Sequence, residues 1–160
     1  MAIVLDAQGL LSDAQSWRAD WEWGCPLIVL TVIIHVLGLG FITEKSILFN
    51  GKLAKYLHKR AVFAVVVGTA TLLATILHAF ETGLWAIAYI FIDARPDYKS
   101  AMLYSLGAMT TYGHSDLFLE DRWRLTGPIE ALNGILLFGL STAFLFWLIQ
   151  EVSPRNRANH

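Results

Sequence analysis

Residues 61–92 form a long, predominantly apolar run whose only formally charged side chain is Glu81. As a helix rising 1.5 Å per residue it would extend roughly 48 Å, against about 30 Å of bilayer hydrocarbon. A run of that length is expected to cross a membrane, tilted or projecting past its surface. Two further apolar segments accompany it. Residues 27–43, opened by Pro26, contain His35 as their only ionisable group, and residues 128–150 contain Glu130 near their start. With 56% hydrophobic residues in a chain of 160, these segments point to a small all-α membrane protein with three transmembrane helices.

The connections set an expected orientation. Residues 44–60 hold Lys45, Lys52, Lys55, Lys59 and Arg60 against a single acid, Glu44. By the positive-inside rule this stretch is cytoplasmic, which puts the N-terminus outside and the C-terminal tail, with Arg155 and Arg157, inside. Leu53, Tyr56 and Leu57 share one face of it, so a basic amphipathic helix along the inner leaflet is expected, as a pore-linked slide or as a plain tether. Before Pro26, Leu10, Ala14, Trp17 and Trp21 recur at helical spacing. Together with Trp23 they predict a helix lying in the outer membrane–water interface. The sole cysteine, Cys25, excludes an internal disulfide, and a net charge of −1 gives no electrostatic reason to bind nucleic acid. No nucleophile–base pair or phosphate-cradling loop suggests an enzyme, and no resident cofactor is implied.

Between the second and third spans lies the stretch 100–117, too short and too polar to cross a bilayer. Its first half, 100–109, reads as a short helix. Its second half crowds Thr110, Thr111, Gly113, His114, Ser115 and Asp116 into seven residues with Tyr112. Irregular backbone at membrane depth is tolerated only inside protein or beside a water-filled cavity, so a re-entrant helix and loop is predicted. The run T-T-Y-G-H-S-D resembles the T-T-V-G-Y-G-D filter of the potassium-channel superfamily, with His114 at the tyrosine position and Ser115 at the second glycine. The last span adds Gly134-Ile-Leu-Leu-Phe138-Gly-Leu-Ser-Thr-Ala143, similar to a pattern on the inner helices of that family.

The resemblance implies a fold and a set of roles. The fold is three transmembrane helices plus a re-entrant pore helix and filter loop, assembled as a homotetramer around one oligomeric pore in a bacterial inner membrane. Residues 1–26 would be an extracytoplasmic interfacial segment and 27–60 an extra N-terminal span with its basic linker. Residues 61–152 would be the pore module, and 153–160 a short cytoplasmic tail. Thr110, Thr111, Tyr112, Gly113, His114, Ser115 and Asp116 would form the filter. Its backbone carbonyls would replace water around a permeant cation, potassium in the family. Gly134 would be a hinge, and Ile135, Phe138, Thr142 and Phe146 would line the cavity, with Phe146 forming a hydrophobic constriction. The two filter substitutions imply reduced potassium selectivity. Ser115 places a Cβ where the family has a left-handed glycine, and His114 replaces the bracing tyrosine.

His78, Glu81 and Glu130 fall at similar depths near the outer boundary, and intramembrane ionisable groups are usually functional. Three roles stay open for them: a brace behind the filter, a proton-sensitive gate, or a metal site. Read from its residues, His35 is a packing histidine. The leading function is therefore a monovalent-cation channel subunit. The alternatives are a non-conducting channel-like scaffold or sensor, and a membrane metal-binding protein using His78, Glu81 and Glu130.

Overall fold

The computed structural model describes residues 7–113 and 118–153. They form α1 (Ala7–Leu53), α2 (Lys59–Phe91), α3 (Tyr98–Met109), a single 3-10 turn (Asp121–Trp123) and α4 (Thr126–Val152), with no strand among the described residues. Three stretches are long and apolar enough to cross a membrane: Trp17–Leu53 within α1, all of α2 and all of α4. The chain is all-helical and compatible with a multi-pass membrane protein.

The first helix differs from its sequence reading. The expected segmentation placed one helix before Pro26, a span after it and a separate short helix beyond residue 44. Instead α1 runs for 47 residues with Pro26 inside it. Pro26 removes one backbone donor from the helix, a loss that apolar helices absorb in their neighbours and in local adjustment. No second proline follows before Leu53, and the helix continues past Asn50 and Gly51 to end two residues later. Trp17, Trp21 and Trp23 lie exposed on its surface.

The helix ends have identifiable causes. At the end of α2, Asp93 adopts a left-handed conformation (φ 55°). Its N–H donates to the Ile90 carbonyl at 3.0 Å and that of Ala94 to the Tyr89 carbonyl at 2.8 Å. This is the paired closure that satisfies the last carbonyls of a helix. Helix α3 then starts at Asp97, whose carboxylate accepts the Ser100 N–H at 3.0 Å.

The chain divides into two compact units, Met1–Thr31 with Thr82–Ile135, and Val32–Glu81 with Leu136–His160. The second unit has an apolar core built from Leu39 and Ile42 of α1, Val62, Val66, Ala70 and Ala74 of α2, and Phe144, Leu148 and Val152 of α4. Each set recurs at three- or four-residue spacing, one stripe per helix. In the first unit the interior is more polar. The Thr126 hydroxyl donates to the Asp20 carboxylate, the Asn133 amide donates to the Thr31 hydroxyl at 2.9 Å, and all four side chains are buried.

Candidate functional site

In the first unit the short helix α3 leads into the stretch read as a filter. Its C-terminal turn is closed by Thr111 N–H to the Ala108 carbonyl (2.9 Å) and, one residue later than usual, by Gly113 N–H to the Gly107 carbonyl (3.2 Å). Two residues in this turn are left-handed, Thr111 at φ 57° and Gly113 at φ 77°, with Tyr112 between them on the ordinary side. For Thr111, a β-branched residue, that conformation is strained. Side chains at 110–113 are exposed, Tyr112 at 90%. An open cavity of about 370 Å³ lies against Gly107, Thr111 and Gly113 on one side and Gly127, Pro128 and Ala131 on the other. His114, Ser115 and Asp116 lie outside the described residues.

The start of α4 is clamped onto the end of α3. Gly134 is buried, and a Cβ there would collide with the backbone carbonyl of Met109. Glycine at 134 is thus required by close approach, a reason separate from the hinge the resemblance implies. Glu130, one turn earlier, is fully buried. The Tyr89 hydroxyl donates to its Oε2 at 2.6 Å, and the Ser105 hydroxyl contacts its Oε1 while also reaching the Thr82 carbonyl at 2.8 Å. Thr82 in turn donates to the Met109 sulfur at 3.2 Å. A buried carboxylate on α4 is thereby joined through hydroxyls to α2 and α3.

The second unit holds a different polar site. His35 on α1 and Glu81 on α2 are both fully buried. His35 Nδ1 lies 2.9 Å from Glu81 Oε1, and His78 Nδ1 lies 3.5 Å from Glu81 Oε2. The other nitrogens of both rings converge on the Ser141 hydroxyl of α4, His35 Nε2 at 3.1 Å and His78 Nε2 at 3.0 Å. Phe138 stacks on the His78 ring with centroids 4.4 Å apart. The result is a closed circuit through Glu81, His35, Ser141 and His78. Ligand atoms of His35, His78 and Glu81 lie within 4.8 Å of one another, near enough to converge on one metal ion.

The three residues expected to cluster thus take different partners. His78 and Glu81 share one site, as their i,i+3 spacing predicts, and are joined there by His35 and Ser141. Glu130 belongs to the hydroxyl network of the other unit. Sequence reasoning treated His35 as packing; the overlooked signal was that it is the only ionisable group in its span. Ser141 left no signal, because hydroxyls are common in apolar helices. On α4, Ile135, Phe138, Thr142 and Phe146 are all exposed, while Asn133, Leu137, Ser141, Phe144 and Leu148 form the buried stripe. No protein-family model, curated protein or solved structure matches this chain.

Proposed function

We propose that the chain is the subunit of a pore-loop cation channel built on the plan of potassium channels, four copies surrounding one axis in a lipid bilayer. The observation that carries this reading is the alternation of backbone handedness at residues 111–113. Alternating handedness turns successive peptide groups to a common side. Where N–H groups converge it makes an anion-binding concavity, but here the Thr111 and Gly113 N–H groups are taken by the Ala108 and Gly107 carbonyls. A row of carbonyls on that side can replace the hydration shell of a cation. Strain at a β-branched residue is an outlier from which function may be argued, because it persists only where its surroundings enforce it. Two features support the reading. Helix α3 is a short helix between two apolar helices, with a proper cap at its start and an irregular, exposed segment after it. Ile135, Thr142 and Phe146 of α4 are left exposed by the chain's own packing, as residues lining a central cavity would be, and Phe138 is 42% exposed beside its contact with His78.

The test is ion replacement in proteoliposomes, comparing potassium, sodium, calcium and chloride. Monovalent cations are expected to pass with weak preference for potassium, and chloride to be excluded. Gly113→Ala, which puts a side chain on left-handed backbone, should sharply reduce the flux. The double change His114→Tyr with Ser115→Gly should raise the preference for potassium, and Phe146→Ala should raise the basal leak. Protein that incorporates fully yet moves no ion would overturn conduction and leave a channel-like scaffold.

A further inference from the structure

We infer that His35, His78 and Glu81 form a binding site for one divalent first-row transition-metal ion of the zinc class, with Ser141 holding both imidazoles from behind. The inference stands on the second unit alone and does not depend on the pore reading.

One ligand atom from each of the three residues can be chosen so that all lie within 4.8 Å of one another, and an ion would draw them closer. Tetrahedral zinc with bonds of about 2.0–2.1 Å to nitrogen or oxygen sets its ligands about 3.3–3.4 Å apart. The facing pairs here are 2.9 Å (His35 Nδ1 to Glu81 Oε1) and 3.5 Å (His78 Nδ1 to Glu81 Oε2), on either side of that value. Two imidazoles and one carboxylate favour zinc, iron, copper or nickel; calcium and magnesium call for oxygen sets. Three protein ligands leave a fourth position open.

Hydrogen counting gives a second argument, independent of the distances and of any choice of tautomer. The circuit contains four N···O separations: two between the imidazoles and Glu81, and two between the imidazoles and Ser141. Each needs one hydrogen between its atoms to be attractive. Two uncharged imidazoles bring one each, the serine hydroxyl brings one, and an ionised carboxylate brings none. Three hydrogens serve four separations, so one of them, at Glu81 or at Ser141, sets two lone pairs face to face. One added positive charge resolves the conflict, either a proton on the Glu81–imidazole pair or a metal cation between them, and the metal is the form proposed here. Both imidazoles then turn their Nδ1 lone pairs to the ion and donate their Nε2–H to the two lone pairs of the Ser141 hydroxyl. An outer-shell acceptor for the second ring nitrogen is the usual way a ligating histidine is oriented. Phe138, stacked on His78, holds that ring further in place.

The decisive experiment uses the full-length chain in detergent, stripped with a chelator and reloaded with zinc. Elemental analysis and titration calorimetry should find one tightly held zinc per chain. Zinc-edge X-ray absorption should show a nitrogen/oxygen shell at about 2.0–2.1 Å with imidazole scattering. Glu81→Gln separates binding from folding. Its amide can accept from His35 and donate to His78, restoring the missing hydrogen while removing the charged ligand. Zinc affinity should fall by more than the 10–100-fold typical of an outer-shell loss, and Ser141→Ala should fall by about 10–100-fold. Replacing the other three of the five histidines, His58, His114 and His160, by alanine should leave the bound zinc in place. The proposal is overturned if reloaded wild-type protein retains no zinc after gel filtration. It is equally overturned if the zinc is lost with those three histidines, or if the absorption spectrum shows no imidazole. Should Glu81→Gln fail to fold, the wild-type spectrum and the three-histidine variant still decide.

Discussion

Each unit buries a carboxylate on an apolar helix, and the two are satisfied by opposite chemistries. Glu130 is met by hydroxyls, those of Tyr89 and Ser105. Glu81 is met by imidazoles, those of His35 and His78. A hydroxyl carries a hydrogen and two lone pairs on one atom and rotates to suit its neighbours, and Ser105 shares its one hydrogen between Glu130 and the Thr82 carbonyl. An imidazole separates one donor from one acceptor on a rigid ring. A carboxylate between two such rings is satisfied when both turn an N–H toward it, which leaves both far nitrogens to share the one Ser141 hydrogen. The same buried acid meets hydroxyls in one setting and, on the metal-site inference, a cation in the other.

The units also differ in how tightly their helices meet, and the largest predicted effect tests that. At Gly134 an added Cβ overlaps the Met109 backbone carbonyl, which cannot rotate away. At Gly38 it would lie 2.6 Å from the end of the Leu77 side chain, which can. Gly134→Ala should therefore cost stability at the upper end of the roughly 1–3 kcal/mol typical of overpacking, and Gly38→Ala a small fraction of that. Denaturation of both variants in the same detergent gives the comparison. Equal losses would show that the first unit is no more rigid than the second.

Next in size are the carboxylates themselves. Glu130→Leu strands the buried Tyr89 hydroxyl and should destabilise by about 1–3 kcal/mol. In metal-free protein, Glu81→Gln should be neutral, or stabilising by about 0.5–1.5 kcal/mol, because it completes the circuit with one hydrogen bond. A Glu81→Gln loss as large as that of Glu130→Leu would erase the contrast drawn between the two sites.

Thr111→Gly removes a β-branched side chain from left-handed backbone and should stabilise the chain by about 1 kcal/mol, read as a higher midpoint of thermal unfolding. If Thr111 sits in a filter, the gain should come with altered ion flux. A loss of stability instead would show that the side chain is favourably held.

The smallest effect is a pH dependence at the start of α3. The Ser100 backbone N–H, aided by the Ser100 side chain, holds the exposed Asp97 carboxyl below its usual value of 3.8. Because the folded value is depressed, the stabilisation is fully present above 3.8 and is lost as pH falls through the lower folded value. Hydrogen exchange of the first amides of α3 should accelerate, relative to its intrinsic rate, on acidification through that window. Asp97→Ala should remove the dependence.

The short helix before the polar stretch was readable as residues 100–109 because the run is local and holds no breaker except Gly107; its cap at Asp97 and start at Tyr98 came with the structure. The unbroken course of α1 was not. Proline is a strong local stop signal, and only the neighbours available in a packed helix allow the chain to continue through it. Gly134 was noticed for its place in a sequence pattern, while its packing reason, the Met109 carbonyl, lies 25 residues away in the chain.

The sequence alone determined three long apolar helices, a short helix with an irregular polar stretch between the second and third, and the pairing of His78 with Glu81. Each of these depends on length, composition or spacing along one helix, where geometry follows from 3.6 residues per turn. The tertiary structure decided that His35 and Ser141 complete the site around Glu81, and that Glu130 belongs with Tyr89 and Ser105. Those partners sit on different helices, and which residues meet depends on how each helix is rotated and how far it slides against the next. Apolar side chains of similar size fill many such registers almost equally well, so the pattern of leucines, valines and alanines does not specify one. The buried polar groups discriminate among them, since each must find a partner, and that match exists only once the helices have packed.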